Sequence, residues 1–258
     1  MAVAARTPIL ELKGISKRFG AVQALDGVDF EVFPGEVVAL VGDNGAGKST
    51  LIKTIAGINL PDSGEIRWEG ELVTIHGPRD TARLGIATVY QDLALCDNLD
   101  VVANLFLGRE ELTSIPPVLK EEDMERRAVE VLKSLSVKLP GVRTPIAALS
   151  GGQRQSVAVS RSVMWAAKVV LLDEPTAALG VAQTKQVLEL IRRLKEQGLG
   201  VVVISHNLAD VFEVCDRIVV LRLGKRIGDF TVADATREQV VSAITGADIE
   251  ILKDGDKK

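Results

Sequence analysis

A chain of 258 residues, 47% of them hydrophobic, can bury a core large enough for one sizeable domain with a subdomain. Its formal net charge of -4 gives no basic footprint for nucleic acid, and with only 3% aromatic residues the core must be aliphatic. Its two cysteines, Cys96 and Cys215, lie far apart, which argues against a disulfide framework or a zinc site and suits a reducing compartment.

The opening stretch Met1-Ala2-Val3-Ala4-Ala5-Arg6-Thr7-Pro8 lacks the long apolar segment of a secretory signal. No apolar run approaches the roughly 18 residues that span a bilayer, so any membrane role is expected to run through another chain. Ile9 to Ile15 and Val22 to Phe33 alternate loosely between apolar and polar, with turns at Gly20 and Pro34-Gly35, and predict short antiparallel strands ahead of a central sheet. Phe19 lies between them. It can serve as a platform for an adenine ring, although a single Phe is more often core.

Next comes Gly42-Asp43-Asn44-Gly45-Ala46-Gly47-Lys48-Ser49-Thr50, preceded by Val37-Val38-Ala39-Leu40-Val41 and followed by Leu51 to Gly57. Strand, glycine loop and helix in that order make a phosphate cradle, because inward-turned N–H groups and the helix dipole gather donors around a polyphosphate. Lys48 is expected to reach the β- and γ-phosphates and the Ser49 hydroxyl to bind the accompanying magnesium ion.

Pro61-Asp62-Ser63-Gly64 is a turn leading into Glu65 to Val73, predicted to form a hairpin. Gly85 to Tyr90 reads as a strand that delivers Gln91 at its carboxyl end, the side on which open α/β sheets bind ligands. From Asp92 to about Ser162 the pattern turns helical. Met124, Ala128, Val131, Leu132 and Leu135 share one face, and Glu121, Glu122, Glu125, Arg126, Arg127 and Lys133 are expected on a solvated one. Thr113-Ser114-Ile115-Pro116-Pro117 reads as a loop.

Leu149-Ser150-Gly151-Gly152-Gln153 then opens a helix through Val157, Ser160, Arg161 and Met164, with Ser150 as N-cap and two glycines that let an anion approach. Lys168 to Pro175 is a buried-strand pattern ending in Asp173 and Glu174. Asp173 is placed to hold magnesium through a water, and Glu174 to reach an attacking water. Val181 to Gln197 is a helix closed by Gly198, and Val201 to Ser205 a buried strand delivering His206, whose imidazole is able to donate to a γ-phosphate oxygen. Ile218 to Leu221 and Arg226 to Phe230 form a last hairpin. Thr236 and Gln239 then form a capping box for a short helix ending at Gly246, and the tail Lys253–Lys258 is expected to fray.

Five motifs in this order, Gly42 to Ser49, Gln91, Leu149 to Gln153, Val169 to Glu174 and His206, resemble the ATP-binding subunit of an ABC transporter from about Ile9 to Phe230. The resemblance implies an α/β fold: a P-loop NTPase core with a mixed, mostly parallel sheet, an N-terminal antiparallel β subdomain and an inserted α-helical subdomain. It makes residues 1–258 a single ABC ATPase domain, with a core of about 9–91 and 163–230, helices over about 92–162, and a C-terminal helix and tail over 231–258. ATP and Mg2+ are the implied cofactors. Glu174, His206 and Gln91 form the implied catalytic set, and Ser49, Gln91 and Asp173 the metal set. Phe19, the loop from Gly42 through Asp43, Asn44, Gly45, Ala46, Gly47, Lys48 and Ser49 to Thr50, and Ser150, Gly151, Gly152 and Gln153 are the implied nucleotide-binding residues.

By the same resemblance two subunits pack head to tail, so that Ser150-Gly151-Gly152 of one completes the site of the other. Val89 to Leu95, Pro175 to Gly180 and Ser205 to Phe212 resemble ATPases of monosaccharide importers of the ribose, xylose and fructose type, and the single copy is similar to the single-domain fructose-type subunits. That likeness implies transmembrane permease subunits, a sugar-binding protein, a homodimer and a peripheral place on the cytoplasmic face of the membrane, with no nucleic acid. One departure stands out. Ala177-Ala178-Leu179 is followed by Gly180, where many members carry an Asp, and loss of that carboxylate is expected to weaken communication across the dimer.

Overall fold

The computed structural model describes residues 7–247; Met1 to Arg6 and the tail Lys253–Lys258 lie outside the described residues. In chain order, β1 (Leu10–Phe19) and β2 (Val22–Val32) form a hairpin, β3 (Val37–Val41) runs into the glycine loop and α1 (Lys48–Ile55), and β4 (Ser63–Trp68) and β5 (Glu71–Val73) follow. Then come α2 (Pro78–Leu84), β6 (Ile86–Val89), α3 (Val101–Phe106), α4 (Glu121–Ser134), α5 (Gly151–Met164) and β7 (Val169–Asp173). The chain continues through α6 (Val181–Glu196), β8 (Gly200–Ile204), α7 (Leu208–Val214), β9 (Arg217–Arg222), β10 (Lys225–Thr231) and α8 (Arg237–Thr245).

The strands make two sheets. The central one has the order β10-β9-β3-β8-β7-β6 and is parallel except for β10 against β9. The other is antiparallel, in the order β2-β1-β4-β5. The predicted hairpin of β4 and β5 does form, but it docks on β1, with Leu12 opposite Ile66 and Leu10 opposite Trp68. Residues beyond α1 therefore complete the subdomain that the N-terminal strands begin.

Alternation along the central strands explains why both faces of that sheet are apolar. Val38 and Leu40 of β3, Leu171 of β7 and Val202 of β8 join the core shared with α1 and the antiparallel sheet. Val37, Ala39, Val170 and Val203 point the other way, into the core with α6, α7 and α8. A third cluster ties Val101, Leu105 and Phe106 of α3 to Met124, Ala128 and Leu132 of α4 and to Val157 of α5. Val131 is only partly buried there.

The charged face of α4 is more organised than a simply solvated one. Arg143 reaches Glu125, Glu121 and Asp100, while Arg127 pairs with Glu111 and lies over the rings of Phe106 and Trp165. The last helix keeps its predicted capping box at Thr236 and Gln239 and ends at Gly246 with φ 76.

Candidate active site

Parallel pairing brings the strand ends to one edge. Leu40 of β3 lies opposite Ile204 of β8, Asp173 of β7 also opposite Ile204, and Val89 of β6 opposite Leu172. The residues that follow, Gly42, Gln91, Glu174 and His206, therefore leave the sheet on the same side.

The glycine loop is shaped by close neighbours. A side chain at Gly42 (φ 148) would collide with the Leu221 carbonyl oxygen, and one at Gly47 (φ 105) would come within 2.7 Å of the Ala24 carbonyl oxygen. Only glycine suits both positions, by conformation and by space. Ala46 is buried beneath the loop and accepts from the Gly224 N–H at 3.0 Å, so the final hairpin supports it from behind. Lys48 Nζ donates to the carbonyls of Gly42 and Asp43 at 2.6 and 2.9 Å. Burial pulls its ammonium below the ordinary lysine range, against the opposing pull of Glu174, Asp43 and Asp173. Ser49 is exposed in the first turn of α1, with Thr50 half-buried beside it. Asp43, Asn44 and Gly45 are exposed at the loop's outer side.

Burial, then the neighbouring Glu174, hold the Asp173 carboxyl above the usual carboxylate range, with Lys53 and Lys48 acting the other way. Glu174 adopts φ 48, a left-handed conformation that costs a non-glycine residue about 1 kcal/mol. His206 Nδ1 donates to Glu174 Oε2 at 2.9 Å, with the imidazole 77% exposed and the carboxylate 18%. Gln91 is exposed, one residue past the half-buried Tyr90. Phe19 is 48% exposed, with Lys17 Nζ 5.7 Å from its ring centre.

Ser150, Gly151, Gly152 and Gln153 lie apart from this group. Ser150 caps α5, and its N–H donates to Gln153 Oε1 at 3.0 Å while Gln153 Nε2 donates to the Lys138 carbonyl. A side chain on Gly151 would meet Leu179, and one on Gly152 would press on Gln183, so these glycines let α5 approach the start of α6. No hydrogen bond joins this segment to the glycine loop among the described residues.

Two residues to which the sequence assigned no role belong to the site's frame. Thr176 Oγ1 donates to Asp210 Oδ2 at 2.7 Å, joining the loop after Glu174 to α7. Nothing in their spacing announces a contact between positions so far apart.

These residues fit a nucleoside triphosphate with Mg2+. The loop is a concavity that side chains at Gly42 and Gly47 would disrupt, and Lys48 is held over its carbonyls. Ser49, in the first turn of α1, and Asp173, at the end of β7 within reach of the Lys48 charge, offer the one or two protein oxygens that suit an ion held mainly by phosphates and water. Strand, glycine loop and helix, with paired acids on a second strand of the same sheet, define a P-loop nucleoside triphosphatase.

Comparison with known proteins narrows the class. Residues 25–177 match the family model described as ABC transporter. The xylose/arabinose import ATP-binding protein XylG of Sulfolobus acidocaldarius is 46% identical over 97% of this chain and 99% of its own. The fructose import ATP-binding protein FrcA of Rhizobium meliloti is 45% identical over 94% and 96%. A nucleotide-free ATP-binding cassette from an ABC transporter superposes with a TM-score of 0.79 at 28% identity, over 92% of this chain and 95% of that one. The ADP- and Pi-bound dimeric cassette MJ0796 gives 0.72 at 26% identity, over 86% and 98%. The chain belongs to the ABC transporter family, as its ATP-binding cassette: an ATPase that uses ATP with Mg2+.

Proposed function

We propose that this chain is the ATP-hydrolysing subunit of a monosaccharide importer, working as a homodimer on the cytoplasmic face of the membrane with separate permease subunits and a sugar-binding protein. The observation that carries the reading is the Glu174–His206 pair at 2.9 Å, at the sheet edge where the glycine loop also opens. The sugar class follows the names of the xylose/arabinose and fructose import relatives.

In this reading Lys48 and the loop N–H groups offset the charge that develops on the phosphates. Ser49 and Asp173 hold Mg2+, with Gln91 ordering water beside it; bound Mg2+ withdraws charge from the phosphate oxygens. Glu174 polarises the attacking water. His206 steadies the γ-phosphate, and because its Nδ1 proton is given to Glu174, it must either turn away or carry protons on both nitrogens to do so. Ser150, Gly151 and Gly152 face the nucleotide of the second subunit, and Phe19 stacks on the base.

A cleft of about 390 Å³ beside Gln91, walled by Tyr90, Leu93, Leu107, Arg161 and Trp165, is the seat we assign to the permease. Arg161 gives one bond to the Ala94 carbonyl, and among the described residues no carboxylate pairs with it, which suits a partner segment bearing an acid.

Phosphate release from Mg-ATP tests the core of this reading. Glu174→Gln should bind ATP normally, lose turnover by about a hundredfold or more, and elute as a dimer with Mg-ATP in gel filtration. Wild-type turnover in that variant removes Glu174 from its role.

A further inference from the structure

The two loops that meet at the active site each have their own internal bonds. After β7, the Ala177 N–H donates to the Glu174 carbonyl at 3.1 Å and the Leu179 N–H to the Thr176 carbonyl at 3.3 Å, while the Glu174 N–H carries the strand pairing one step further, to the Ile204 carbonyl of β8 at 3.0 Å. After β8, the Asn207 N–H donates to Ser205 Oγ, and Asn207 Oδ1 accepts from the Ala209 N–H, both at 3.0 Å. These bonds shape the loops without fixing one against the other at their side chains.

Among the described residues two side-chain bonds cross from the segment after β7 to the segment after β8, one ending on the loop at His206 and the other on the first turn of α7. One is His206 to Glu174, made by the two groups that the proposed function assigns to the γ-phosphate and the attacking water. The other is Thr176 Oγ1 to Asp210 Oδ2 at 2.7 Å, from a half-buried threonine two residues past Glu174 to a half-buried carboxylate four past His206. A hydroxyl donating to a carboxylate makes a short, charge-assisted bond, stronger than one between neutral groups. It is also free of the reacting atoms, so it can persist while the first bond breaks. Glu174 needs such support, because its left-handed backbone persists only where the surroundings over-determine it.

We propose that Thr176 and Asp210 form a positioning brace that holds the Glu174 carboxylate in register with the His206 loop. This rests on the reading of Glu174 as the residue that orients the attacking water. Neither residue of the brace touches the reacting atoms; both act through Glu174, so their effect belongs in kcat and not in nucleotide affinity.

The test uses the full-length protein with Mg-ATP. Thr176→Val keeps the shape and removes the hydroxyl. It should lower kcat by about tenfold while KM for ATP stays within about twofold, with a thermal midpoint no more than about 4 °C below wild type. Thr176→Ser, which restores the hydroxyl, should return kcat to within about twofold of wild type. Asp210→Ala breaks the same bond from the other side and stands in should the valine variant fail to fold. The double variant Thr176→Val/Asp210→Ala should be no slower than either single one, because one bond is lost only once. Wild-type kcat in both single variants, a serine variant as slow as the valine, or additive losses would overturn the brace. Glu174→Gln run in parallel separates the two ideas. If it still turns over, the role of Glu174 fails and the brace with it; if it is inactive while the brace variants hydrolyse normally, only the brace fails.

Discussion

Asp173 occupies a position where its charge is costly. Burial first, and then Glu174, raise its carboxyl above the usual range, and Lys53 and Lys48 only partly offset them. A carboxylate raised in the folded state binds its proton more tightly there than in the unfolded chain, so stability rises as pH falls through the raised value. At neutral pH the ionised group therefore destabilises the fold. Asp173→Asn should raise stability at neutral pH, and the gain should fade as the pH falls from the raised value to that of an ordinary carboxylate. Denaturant titrations from neutral to mildly acidic pH check this, and an Asn variant no more stable than wild type at neutral pH removes the burden we assign. The same change should abolish Mg-dependent turnover. At this scale much of the site was legible: Asp173, Glu174, His206 and Gln91 each end an apolar run, and a strand end in a parallel sheet is a place, not only a pattern. Thr176 and Asp210 were not, since a bond between side chains on two loops leaves no periodicity behind.

Among the elements, α6 begins without the usual kind of cap. Gly180 precedes it with φ -74 and ψ 163, a backbone any residue adopts, and has no side chain to accept the Gln183 N–H, though the Gln183 side chain accepts from the Gly180 N–H at 3.4 Å. Space beside Gly180 is open. Gly180→Asp should therefore be accommodated without strain, stabilise the helix start by a few tenths of a kcal/mol, and speed steady-state hydrolysis by supplying the carboxylate that the family resemblance implies at this position. Turnover no faster than wild type, in a variant that melts no lower, would show that the missing acid does not limit the rate. Helices long enough to repeat were readable in advance, as were the caps at Ser150 and Thr236. The seven-residue α2 and α7 were not, because two turns hold too little period to register. The attachment of β4 to β1 was hidden for another reason: pairing across the intervening β3 and α1 is decided by packing and not by local pattern.

Across the whole molecule, Arg217 ties the two sheets together. From β9 it bonds Glu36 through Nε at 2.8 Å and Nη2 at 3.1 Å, reaches Asp229 of β10 at 3.1 Å, and gives a further bond to the Glu31 carbonyl of β2 at 2.8 Å. Glu36 is buried, so its charge depends on this partner. Arg217→Ala should cost about 3 kcal/mol, and Arg217→Lys should recover only part of it, since an ammonium cannot reproduce the forked contact. Urea denaturation of the two variants measures both; an alanine variant as stable as wild type would mean that the sheets hold together without it. The long-range order of the central sheet bears on how the protein is made. Strand β3 lies between β8 and β9, and the glycine loop behind it rests on Ala24, Leu221 and Gly224. A ribosome releases Gly42 to Thr50 well before it makes that final hairpin. A nascent subunit therefore lacks the support behind its glycine loop until the stretch through Gly224 has emerged, and a half-translated chain has not yet received Asp173, Glu174 or His206.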